Sequence, residues 1–91
     1  MGNEMKYAWV IYYGHFVTGP ADMDLTIFEI LDHPLRQHFR LLDADGYVYY
    51  SGVFVPLSDD HTGFEPLDDY GRPNDGCTEI QYRRDGQWKT L

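Results

Sequence analysis

From Lys6 to Val17 the chain reads KYAWVIYYGHFV, with Tyr7, Trp9, Ile11 and Tyr13 on one side of a period-two alternation and Ala8, Val10, Tyr12 and Phe16 on the other. β-Branched and aromatic side chains fit a pleated surface, and apolar residues on both faces predict a strand covered on both sides. Gly14 marks a candidate bulge. The next stretch, TGPADMDLTIFEILDHP, changes period: Met23, Ile27, Ile30 and Leu31 fall at i, i+4, i+7 and i+8. We read a helix here, begun at Pro20 or Asp22, favoured by Asp24 in its first turn and by His33 near its end, and stopped by Pro34. A short strand over LTIFEIL is the competing reading.

RQHFRLLD and GYVYYSGVFV alternate as strands on either side of Asp43 to Gly46, and TEIQYRR and QWKTL do the same around Asp85 and Gly86. Asp tolerates turn conformations and Gly supplies positive φ, so both pairs predict hairpins. Between them, Pro56 to Gly76 carries three Pro, three Gly and no β-branched run, which predicts a long acidic loop. Phe64, Leu67 and Tyr70 recur within it, so part of the loop is expected to pack back on the sheet. The fold class that follows is α+β and β-dominated: an antiparallel sheet of about five strands with one short helix packed on it. Trp9, Ile11, Phe28, Leu31, Leu41, Val53, Ile80 and Trp88 form the expected core.

The 91 residues, 43% hydrophobic and 16% aromatic, suit one small domain over residues 1–91. Cys77 is the only cysteine, which excludes an intramolecular disulfide and fits a reducing, cytoplasmic compartment. MGNEMKYAWV lacks the order of a signal peptide, and Lys6 stands where a myristoylation motif needs Ser or Thr. Fifteen acids against seven Lys and Arg give a net charge of −8. That field repels phosphates and anionic lipids, so direct contact with nucleic acid or membrane is not expected. Open sheet edges, with few basic residues to guard them, lead us to expect a homodimer.

Asp43, Asp45 and Gly46 spell D-x-D-G, the opening of a calcium loop. With Asp43 at loop position 1, however, Tyr47 takes position 5, Gly46 is misplaced and Phe54 stands where a bidentate Glu is required. The stretch is read as a turn. His15, His33, His38 and His61 form no ligand pair of established spacing, Cys77 lacks an activating motif, and Ser51 lacks the nucleophile elbow. No catalytic residue, metal or cofactor is therefore expected.

What remains is the loop, where Asp59, Asp60, Glu65, Asp68 and Asp69 accompany Phe64 and Tyr70. Acidic rims steer basic partners and an aromatic anchor supplies contact energy. These seven residues are the expected partner-binding set of a non-catalytic binding module or inhibitor that engages a basic protein, such as one that handles nucleic acid. The alternative is a small-molecule-binding or enzymatic β-domain whose aromatic strand faces line a pocket.

Overall fold

A computed structural model describes residues 7–20, 25–57 and 61–91 of the chain. Its strands are β1 (Tyr7–Tyr13), β2 (Val17–Gly19), β3 (Gln37–Leu42), β4 (Val48–Pro56), β5 (Glu79–Arg84) and β6 (Gln87–Thr90), and they form one sheet in the order β2-β1-β4-β3-β5-β6. Every pairing is antiparallel. Helix α1 spans Ile27–Leu31. A π-helical turn at Leu67–Gly71 runs directly into α2, Arg72–Asp75. The fold is the expected β-dominated α+β class, with six strands in place of about five. The additional strand arises because the apolar run expected as one strand to Val17 breaks at Gly14, whose φ is +94°, and returns as β2.

Both faces of the central strands are apolar, and each is covered. On one face Trp9, Ile11, Phe39, Leu41, Phe54, Ile80 and Tyr82 join Leu67 and Cys77 from the 61–77 segment. On the other, Ala8, Val10, Val53 and Val55 meet Ile30 of α1, with Leu25, Ile27 and Leu31 at the margin. Gly52 is required where β4 crosses β1, since a Cβ there would lie 2.0 Å from the Val10 carbonyl oxygen. The final hairpin turns through Asp85 and Gly86 with φ of 54° and 77°, the two positive values a tight turn of this kind needs.

Several local expectations are corrected. Helix α1 starts at Thr26, whose hydroxyl accepts the Glu29 amide (3.1 Å) while the Glu29 carboxylate accepts the Thr26 amide (2.8 Å). That reciprocal cap makes the start self-sufficient, so Pro20 does not begin the helix. Asp22, the other proposed start, and Met23 of the apolar stripe lie outside the described residues. Phe28, expected in the core, is 82% exposed. At 3.6 residues per turn it points away from the side carrying Ile27, Ile30 and Leu31. Leu31 is half-buried, and Trp88 is half-buried on a part of the sheet that α1 does not reach. The stretch 56–76, expected as a loop, contains the helical run 67–75. The edges available to a second copy are β2 and β6, of three and four residues.

Position in the helix, not hydrophobicity, therefore sets the cost of substitution in α1. Ile30→Ala should destabilise by about 2–5 kcal/mol in urea unfolding. Phe28→Ala should stay within about 0.5 kcal/mol, and Thr26→Ala should cost about 1 kcal/mol.

Candidate functional sites

The acidic segment does two jobs. Glu65 is only 6% exposed, and its carboxylate accepts the backbone amides of Gly63 (2.8 Å) and Thr62 (2.9 Å), which fixes the chain as it enters the helical run. Asp69 reaches back across the sheet face, where its Oδ2 accepts the Tyr7 hydroxyl (2.8 Å) and the Trp9 indole N–H (3.1 Å). Tyr70 is half-buried, with its ring 5.9 Å from Trp9, edge-on to Tyr50 at 5.2 Å and stacked on His15 at 6.5 Å. Asp69 and Tyr70 bind the segment to the sheet, while Glu65 bonds within the segment. Phe64 is 37% exposed, and Asp68 is exposed and pairs with Arg72 at 3.5 Å. Asp59 and Asp60 lie outside the described residues.

The exposed acid of this end is completed by residues that the sequence reading did not select. Asp75 accepts a hydrogen bond from the Tyr50 hydroxyl. That bond, together with burial, raises the phenol well above its usual range. Tyr49 is also raised, first by the charge of Asp43 and then by a hydrogen bond to it, with Asp75 adding to the effect. Tyr47 and Tyr49 are 69% and 40% exposed. Ring contacts and charges thus link His15 and Tyr70, through the buried Tyr50 and its partner Asp75, to Tyr49 and Asp43. The available signal was a tyrosine run following two acids, DADGYVYY, but its pairing with Asp75 depends on a contact across 25 residues.

Asp43 itself behaves as a turn residue. Its Oδ1 accepts the amides of Asp45 (2.9 Å) and Tyr47 (3.0 Å), and Gly46 follows with φ of 85°. Cys77 is fully buried, and burial, reinforced by Asp75 and Asp43, pushes its thiol up to about 11. It is a packed apolar group at neutral pH. The four histidines are dispersed: His15 stacks on Tyr70, His33 Nδ1 accepts the Leu35 amide (3.0 Å), His61 packs edge-on to Phe54, and His38 stands on the opposite sheet face. Among the described residues no three His, Cys, Asp or Glu side chains gather as metal ligands, and no helix is long and apolar enough to cross a membrane.

On the sheet face that carries α1, the part beyond the helix holds an open groove of about 560 Å³ lined by Tyr12, Tyr13, His38, Ser51, Arg83 and Trp88. Arg40 lies over the Trp88 ring at 4.4 Å, and its Nε donates to Gln81 Oε1 at 2.7 Å. Among the described residues the groove lining is polar and aromatic and contains no carboxylate.

Because the folded Cys77 thiol ionises only near pH 11, against about 8.5 in an unfolded chain, its stabilising contribution is complete below about pH 8.5 and is lost as pH rises toward 11. Tyr50 and Tyr82, both raised, extend the same loss to higher pH. Cys77→Ala should flatten the alkaline slope of stability measured by urea unfolding between pH 8 and pH 10, and native Cys77 should resist alkylation at pH 8. No protein family, curated protein sequence or solved structure shows a significant match to this chain, so its function is to be read from these surfaces.

Proposed function

We propose that the chain is a non-catalytic protein-binding module, or inhibitor, that captures a basic protein surface with the acidic, tyrosine-bearing end of its sheet. The observation that carries this reading is the exposure of Tyr47 (69%) and Tyr49 (40%) beside Asp43, Asp45 and Asp75 on a chain of net charge −8. Tyrosine gives rigid, amphipathic contact area and a π face for Lys or Arg, while surrounding carboxylates steer the approach. Asp68, exposed on the helical run that leads to Asp75, extends the rim, and Phe64, Asp59 and Asp60 are proposed as further contacts on their chemistry alone. Glu65, Asp69 and Tyr70 contribute by holding that rim in place. A nucleic-acid-handling protein, whose own site is basic, is the natural class of partner.

The test is retention of proteins from native host lysate at low and high salt by the wild-type chain and by two variants. A partner of the proposed kind is held at low salt and released by high salt. It associates more slowly with Asp45→Asn/Asp68→Asn, a variant that takes from the fold only the exposed Asp68–Arg72 ion pair. Tyr49→Ala raises its dissociation rate and costs about 2 kcal/mol or more of affinity. A salt-sensitive partner bound equally by both variants contradicts the proposal.

A further inference from the structure

The groove beyond α1 lies outside the acidic surface, and its chemistry does not depend on the protein-binding reading. Its first wall follows from an irregularity of pairing. Between Ile11 and Tyr13 the β1–β4 register shifts, so that Ile11 faces Gly52 and Tyr13 faces Ser51. The extra residue, Tyr12, breaks the alternation, and the bulge turns both tyrosine rings into the groove, 46% and 60% exposed. The opposite wall is Trp88, directly across from Arg83 in the β5–β6 ladder. Continuing the β3–β5 register by one residue from Phe39 and Tyr82 sets His38 beside Arg83 on the floor.

The two arginines differ in what occupies them. Arg40 covers Trp88 and bonds Gln81, whose Nε2 donates to Glu79 (2.8 Å). Its charge also helps to hold the Glu79 carboxyl below the usual range, after hydrogen bonds from Thr90 and Gln81. Among the described residues Arg83 meets only the Trp88 ring, at 5.7 Å. Among the described residues the one ion pair joins Arg72 to Asp68, so no carboxylate neutralises Arg83. An unneutralised guanidinium, an imidazole and the Ser51 hydroxyl therefore share a floor between aromatic walls.

We infer that this groove binds a small ligand that combines one flat aromatic ring with one anionic group. The ring packs against Trp88 and the Tyr12 and Tyr13 rings, and the anion meets Arg83, with His38 and Ser51 as further donors. The volume lies within the roughly 300–1,000 Å³ of small-ligand sites. The charge of the whole chain restricts the class further: repulsion by −8 grows with ligand charge, so a single anionic group is admitted by the local arginine while a polyanion is opposed.

The experiment titrates the full chain with indole-3-acetate, phenyl phosphate, neutral indole-3-acetamide and acetate, following backbone and indole N–H signals by NMR. Either aryl anion should saturate with shifts at Trp88, His38 and Arg83, at least tenfold tighter than the neutral amide and acetate, while the buried Trp9 indole stays unmoved. The tighter aryl anion identifies carboxylate or phosphate as the recognised group. Arg83→Gln should lower that affinity about tenfold, whereas Arg84→Gln, on the other sheet face, should leave it unchanged. Absence of saturation with both aryl anions, equal binding of the neutral amide, or equal loss in the two arginine variants overturns the inference.

Discussion

The contact on which the rest of the molecule depends is the Asp69 carboxylate held by the Trp9 indole and the Tyr7 hydroxyl, across about 60 residues of sequence. A sheet with two apolar faces needs two covers, and α1, only five residues long, supplies one. The other is the 61–77 segment, which has little apolar surface of its own and is positioned by polar bonds as much as by packing. Asp69 fixes it to β1, Glu65 shapes its entry, and the Tyr82 hydroxyl donates to the Gly63 carbonyl at 2.6 Å inside the core. Once it is seated, Leu67 and Cys77 close over Leu41 and Ile80, and the chain enters β5 in register.

This division of labour explains which parts of the fold were legible in the sequence. Both Asp-Gly hairpins were, because their turn chemistry and flanking alternation are local. Helix α1 was legible as a helix from the Ile27, Ile30 and Leu31 spacing, but its start was misplaced although Thr26-Ile27-Phe28-Glu29 spells a capping box. The helical run at 67–75 was not legible: LDDYGRPND contains Gly and Pro and lacks an apolar stripe, and its conformation is imposed by docking on Trp9 and Leu41. Propensity gave way there to tertiary contact.

The same distinction governs the sites. Composition identified an acidic, aromatic segment but not which of its side chains face inward, since Asp68 and Asp69 are adjacent in sequence and opposite in role. An aromatic-lined pocket stood as the alternative reading of the sequence, but the groove's residues could not be named because they come from β1, β3, β4, β5 and β6 and meet only through the strand order and one bulge. The folded chain thus presents an acidic tyrosine surface at one place and an unneutralised arginine among aromatic rings at another. Net charge alone, at −8, describes neither.

Hydrogen–deuterium exchange of the native chain tests the central claim most directly, because the amides of Gly76 and Cys77 are bonded to the Arg72 and Gly71 carbonyls within the 61–77 segment, and so short a helical run does not persist in water without tertiary packing. Protection of these amides comparable to that of β4 at Val53 and Phe54 is the predicted result. Exchange at free-chain rates while β4 remains protected would show that the segment is a loose loop and would contradict the account.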